Sequence, residues 1–258
     1  MDVLITAGGT PLPGELLYKY TRGAPKAMLN IAGKPMVQWV LDAVSHSKLV
    51  DHIVLIGLPE LGGITCPKPL TLLPNQADML ANIITGIKQV SRLNPSAEHV
   101  LLVASDIPAI TTEMVDWLID IVEKSDADIF YNVITQELME KRYPQSKRTY
   151  THLKDCAICG GDMNAVRVDM VENTSKLWVD LIAARKNPLK QASILGFDLL
   201  VKLLFRSATL EEAAQIISRR LGIKGKLIQS AFPEIGMDVD KPHQFEIIRE
   251  DLSRVGIS

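Results

Sequence analysis

The chain has 258 residues, 47% hydrophobic and 22% charged, an ordinary globular composition with length enough for a full core. Its formal net charge of -2, with no basic excess and no polybasic run, argues against nucleic acid or a membrane surface as a partner. No apolar run is long enough to span a bilayer, and the first residues read as a core strand rather than as a signal peptide.

Val3-Leu4-Ile5 is a short apolar run that fits a buried strand, and Ala7-Gly8-Gly9-Thr10 follows it at once. Glycines straight after a strand free the backbone to turn and to bring bare N–H groups to an anion such as a phosphate. An ordinary turn is the plainer alternative. Gly8-Gly9 does not form GxGxxG, and Gly33-Lys34 is followed by Pro35, so the Rossmann and P-loop fingerprints both fail. A long polar loop leads to Pro25-Lys26. From Pro35 the spacing of Val37, Val40, Leu41 and Val44 predicts an amphipathic helix to about Ser47.

His52–Gly57 is continuously apolar and β-branched, as a strand buried on both faces should be. Residues 59–69 read as loop, and Leu70–Leu73 as a short third strand. Asp78–Val90 is the next helix, with Asp78 at its start, where a carboxylate is favourable. His99–Ala104 is the clearest strand, closed by Ser105-Asp106-Ile107-Pro108. A carboxylate at the carboxyl end of a central parallel strand lies where open α/β sheets bind ligands. Thr111 or Thr112 caps the following helix.

Asp128–Ile134 alternates as a strand, residues 136–146 include a short helix, and Arg148–Leu153 reads as an antiparallel or edge strand. Gly160-Gly161-Asp162 enters a strand over residues 163–168, and paired glycines there suggest close backbone approach. From Glu172 to about Leu221 strands stop. Three helices are expected, one around Leu177–Ile182, an apolar one over Leu195–Phe205, and a third opened by the capping-box pattern Thr209-Leu210-Glu211-Glu212. Residues 225–230 form a late strand. Asp238 and Asp240 alternate around Val239 and share a face, ahead of a final helix through Phe245, Ile248 and Leu252.

The three cysteines are Cys66, Cys156 and Cys159, an odd count that suggests a reducing, cytoplasmic setting. Cys156 and Cys159 form a CxxC, open to reading as a metal or redox pair. A structural zinc site takes four ligands and no second CxxC exists, which favours two incidental thiols. The five histidines show no ligand-pair spacing and read as structural.

Three pieces, Ala7-Gly8-Gly9-Thr10, Pro25-Lys26-Ala27-Met28-Leu29 and Ala32-Gly33-Lys34-Pro35-Met36, stand in this order at the N-terminus. Together they resemble the signature of the MobA-like nucleotidyltransferases, within the sugar-1-phosphate and molybdopterin nucleotidyltransferase superfamily. The segment Leu101–Thr111 resembles the metal-binding strand end of these enzymes, and residues 238–242 with their flanks resemble a DVDxPxxxE ending common among them. One departure is that Pro11-Leu12-Pro13-Gly14 stands where many members carry an arginine, and Arg22 is the candidate to replace it.

The resemblance implies a three-layer α/β/α, Rossmann-like fold of the GT-A type, with a mostly parallel central sheet. The whole chain, 1–258, would be one nucleotidyltransferase domain with a helical insertion at about 172–222. It implies that Ala7, Gly8, Gly9, Thr10, Arg22 and Lys26 hold a nucleoside triphosphate, with Asn75, Gln76 and Asp78 near its base and Gly161 near a phosphorylated acceptor. Lys26 and Asp106 would be catalytic, and Asp106, Asp238 and Asp240 would ligate Mg²⁺. Asp162 stands where the family often has asparagine. The apolar helical block also suits a homo-oligomer interface. Two other readings remain beside this one: a glycosyltransferase of related fold, which would normally show a DxD where Ser105-Asp106 stands, and a nucleotide-binding protein without turnover.

Overall fold

The computed structural model describes residues 1–76, 78–171, 202 and 205–255. The helices expected around Leu177–Ile182 and Leu195–Phe205 lie outside those residues, except for Lys202 and Phe205.

The strands are β1 (Asp2–Thr6), β2 (Asn30–Ile31), β3 (Lys34–Pro35), β4 (Ile53–Ile56), β5 (Leu70–Leu73), β6 (His99–Ala104), β7 (Ile129–Thr135), β8 (Thr151–His152), β9 (Ala157–Gly160), β10 (Met163–Arg167) and β11 (Gly225–Gln229). The α-helices are α1 (Tyr18–Thr21), α2 (Met36–His46), α3 (Met79–Leu93), α4 (Thr112–Glu123), α5 (Gln136–Arg142), α6 (Leu210–Leu221) and α7 (Pro242–Val255). The main sheet runs β5-β4-β1-β6-β10-β7-β9-β8, and β11 pairs β7 in parallel. Within this sheet, among the described strands, β9 and β10 run against the others, and β2 and β3 form a separate antiparallel pair.

Period-two alternation decides which face each strand residue serves. In β1, Val3 and Ile5 join Ile53, Leu55, Leu101 and Val103 under α2 and α4, while Leu4 joins Val54, Ile56 and Val100 under α3. Both faces of these strands are therefore covered, which is why their sequences are apolar without interruption. Helix α2 brings Val37, Val40, Leu41 and Val44 to the first face, as its spacing predicted. A third apolar cluster, containing Met36, Ile134, Tyr143, Met237, Val239, Phe245 and Ile248, joins α7 to the carboxyl end of the sheet.

Two expectations change in detail. Thr111 takes the N-cap position of α4 without a side-chain bond. The Thr112 hydroxyl instead donates to the Ala43 carbonyl at 2.9 Å and ties α4 to α2. The segment around Cys159, read as incidental thiols before a pair of glycines, is strand β9, and Cys66, Cys156 and Cys159 are all free thiols.

The capping box opening α6 is present in full, with Thr209 and Glu212 satisfying each other's backbone N–H. Replacing Thr209 with alanine should cost about 1 kcal/mol, read as a lower midpoint in urea with an unchanged slope.

Candidate active site

The site forms where β1, β4 and β6 end. Past β1, the Ala7 N–H donates to the Ile56 carbonyl at 2.7 Å, and the Lys26 N–H donates to the Gly9 carbonyl at 2.8 Å. The second bond closes residues 10–25 into a strap pinned at both ends. The strap carries the short helix α1, with Arg22 exposed at its end and its N–H bonded to the Tyr18 carbonyl. Leu12 and Leu16 project into solvent from it.

Gly8 is required sterically. A Cβ there would lie 2.2 Å from Asn75 Oδ1 and 2.8 Å from Asn82 Nδ2. Gly57, at φ 115°, passes beneath, and a Cβ on it would lie 2.3 Å from the Gly8 nitrogen. Buried Asn82 on α3 donates to Asn75 Oδ1 and accepts from the Gln76 N–H, each at 2.8 Å. The 75–76 turn is thus held against the glycine loop. Asp78 caps α3 by accepting from the Ala81 N–H at 2.9 Å. Gly9 and Thr10 are exposed, and open space surrounds Gly9.

Lys26 opens a single 3-10 turn over Lys26–Met28, entered from extended Pro25. Its Nζ lies 2.7 Å from Asp106 Oδ2 and is also bonded to Asp240 Oδ1. The backbone enforces that meeting. The Val239 N–H donates to the Asp106 carbonyl at 2.9 Å, and the Asp240 N–H donates to Oε1 of buried Gln244 in α7 at 3.0 Å. Burial works against the Lys26 charge, but Asp106 and Asp240 more than offset it and hold its pKa above the usual lysine value. Asp240 resists its own partial burial through Lys26, then Arg148 and Lys241, and its pKa lies below the usual carboxylate value.

Asp238 faces another partner. It is ion-paired with Arg148, a residue that sequence reasoning missed. Among the described residues no group of three or more His, Cys, Asp or Glu side chains gathers as a ready metal cage. One oxygen of Asp106 is buried without a hydrogen-bond partner.

Asp162 arrives through a bulge. Strands β9 and β10 both run along β7, but their registers differ by two residues: Gly160 faces Val133, whereas Ala165 faces Phe130. The surplus falls at Gly161 and Asp162. Buried Asn132 stitches it from both sides, accepting at its carbonyl from the Gly161 N–H at 2.8 Å and donating from Nδ2 to the Met163 carbonyl at 2.5 Å. Asn164 completes the stitch through the Asn132 N–H and the Gly161 carbonyl, each at 2.8 Å. Bulges commonly re-aim a side chain beside an active site. Here burial first, then the charges of Asp106 and Asp240, push the Asp162 carboxyl up to about 7 against the pull of Arg148 and Lys26.

That shift has a stability consequence. The folded pKa of Asp162 lies above the ordinary 3.8, so its contribution to stability is full below pH 3.8 and is lost as pH rises through about 7. Asp162→Asn should therefore gain thermal stability relative to the parent protein between about pH 4 and pH 7. A melting-temperature difference that stays constant with pH would refute this.

The structure thus brings Lys26, Asp106, Asp240 and Asp162 to one place, with Asp238 beside Arg148 at its edge. Gly161 sits in the bulge beneath Asp162, and Gly8 adjoins the 75–76 turn. Four of the five histidines make structural bonds: ring nitrogens of His46, His99 and His243 bond backbone carbonyls, and that of His52 bonds Thr71, while His152 is exposed on β8.

A doubly covered sheet with a glycine loop, a lysine and acids at the carboxyl ends of its central strands is the build of a nucleotide-binding α/β enzyme. A model of the MobA-like NTP transferase domain matches residues 19–224, well over half of the chain, so the protein belongs to that family and is a nucleotidyltransferase. The match begins beyond the glycine loop and ends before Asp238 and Asp240.

A hypothetical transferase from Thermus thermophilus is 29% identical, with TM-score 0.81 over 95% of this chain and 98% of that one. CMP:2-keto-3-deoxy-manno-octonic acid synthetase complexed with CTP is 15% identical, with TM-score 0.61 over 98% and 99% of the two chains. The 4-diphosphocytidyl-2C-methyl-D-erythritol synthase of Anaerococcus prevotii is 13% identical, with TM-score 0.59 over 98% and 96%. The last two share the fold. A search of curated proteins finds no significant match.

Proposed function

We propose that the protein joins a nucleoside triphosphate to a phosphorylated small-molecule acceptor, such as a sugar 1-phosphate, and releases pyrophosphate with the help of Mg²⁺. The observation that carries this reading is the Lys26 ammonium between Asp106 and Asp240, at the mouth of the glycine loop. Backbone N–H groups of residues 8–10 and the Lys26 ammonium would hold the triphosphate. The turn at Asn75 and Gln76, fixed by Asn82, would border the base. The acceptor would approach past Gly161 and Asp162. Its phosphate oxygen attacks the α-phosphorus, and the bond from that phosphorus to the oxygen bridging to the β-phosphate breaks, with both electrons leaving on pyrophosphate. The attacking phosphate is already anionic, so the chain need supply no general base. It supplies position and charge.

The donor set fits a divalent cation. Asp106, Asp162, Asp238 and Asp240 share the site with two basic side chains, Lys26 and Arg148, and one buried Asp106 oxygen lacks a partner. Carboxylate oxygens with phosphate oxygens are the ligands Mg²⁺ prefers. Asp106 and Asp240 would hold it, and when bound it neutralises charge on the phosphates. Asp238, engaged by Arg148, has a weaker claim as a ligand.

The described residues contain no helix long and apolar enough to cross a membrane. The free thiols support a reducing, cytoplasmic setting. The test is a screen of nucleoside triphosphates against phosphorylated metabolites, reading pyrophosphate. CTP leads the panel, because one structural neighbour is complexed with it. Mg²⁺-dependent binding of a triphosphate with no pyrophosphate from any acceptor would favour a nucleotide-binding role without turnover.

A further inference from the structure

The Lys26 ammonium fills the space between two carboxylates that a divalent cation would need. Its Nζ is 2.7 Å from Asp106 Oδ2 and bonded to Asp240 Oδ1 as well. An ammonium has three donors and no acceptor, and two of the three are spent on these acids. The Val239 N–H bonded to the Asp106 carbonyl and Gln244 bonded to the Asp240 N–H keep the two backbones adjacent, so both carboxylates stay within reach of one cation. Mg²⁺ requires oxygens at about 2.0–2.1 Å in near-octahedral array, so it cannot share the pair with an ammonium in contact with both. Among the described residues no ready metal cage competes with this arrangement.

We propose that Lys26 is the resident counter-ion of the cation site, so that in the nucleotide-free protein lysine and divalent cation exclude one another. Phosphates of an arriving nucleotide draw the lysine off the acids, and the vacated carboxylates then take the cation together with phosphate oxygens. Nucleotide and cation therefore bind with positive coupling, and the coupling is reciprocal. The inference rests on the reading of Asp106 and Asp240 as cation ligands and of Lys26 as a phosphate ligand.

Mn²⁺ serves as the probe, followed by its paramagnetic resonance signal without nucleotide. Lys26→Met keeps the apolar stem and removes the charge. Removing a like charge at this range should tighten Mn²⁺ binding about tenfold or more over the parent, and Asp106→Asn added to Lys26→Met should abolish the gain. With CTP present and the Mn²⁺ that CTP chelates in solution subtracted, the parent should gain Mn²⁺ affinity over its nucleotide-free value by a larger factor than Lys26→Met, in which phosphate oxygens still ligate the ion but no lysine has to leave. Lys26→Gln, checked for a cooperative melt, repeats the comparison should Lys26→Met not fold. Mn²⁺ binding by the folded neutral variants that is equal to or weaker than the parent's overturns the proposal. Turnover is no part of this readout, so a parent protein that releases no pyrophosphate would sink the functional reading and leave the nucleotide-free comparison to decide this one.

Discussion

Lys26→Ala is expected to lower kcat about 10²–10³-fold, the usual loss when a preorganised charge aimed at the reacting phosphate is deleted. The lysine is placed by its backbone as much as by its partners. Pro25 sets the entry to its 3-10 turn, and its N–H is spent on the Gly9 carbonyl, so the variant should keep the loop where it is. Stability should fall far less than activity. Asp240 is 57% exposed and will be hydrated when the lysine is gone, whereas Asp106, at 21%, is left closer to an uncompensated charge. A loss of about 1–2 kcal/mol follows once solvent screening is allowed for. The checks are pyrophosphate release and a urea melt on the same preparation. Activity within threefold of the parent would remove Lys26 from the chemistry.

Asp106→Asn should cost about 10²-fold or more in kcat/KM, by taking charge from both the lysine and the cation position while preserving side-chain shape. A second result separates a charge effect from a packing effect. Asp106 is the foremost charged neighbour holding up the Asp162 pKa, so the variant should lower that pKa and flatten the fall in stability between about pH 4 and pH 7. Because Asp106 and Lys26 act through one contact, the double variant should lose little beyond the worse single one. Losses that multiply in full would mean that the two side chains act independently.

The parallel half of the sheet was legible because strands buried on both faces must be apolar throughout, as in residues 53–56 and 99–104. Asp106 was legible as a carboxylate just past the end of a central strand, whereas Lys26 and Asp240 as members of one site rested on the resemblance carried by their segments. Arg148 was hidden, since its partner lies 90 positions away and its own surroundings read as an edge strand. Strand β9 was hidden too. It is four residues long, without alternation, and is held by pairing with β7 across a bulge. The signal was there in part, since Asn132 interrupts an otherwise apolar strand. A buried amide demands partners, and it finds them on the bulged chain opposite.

The bond between the Lys26 amide and the Gly9 carbonyl closes the intervening sixteen residues into a loop, whose later half is packed down by buried Leu17 and Thr21 and by Tyr20 against Phe245, while Leu12 and Leu16 stand in solvent. The exposed stretch from Leu12 to Leu16 is therefore where length can change with least effect on the ammonium, since loop closure costs rise only slowly with length.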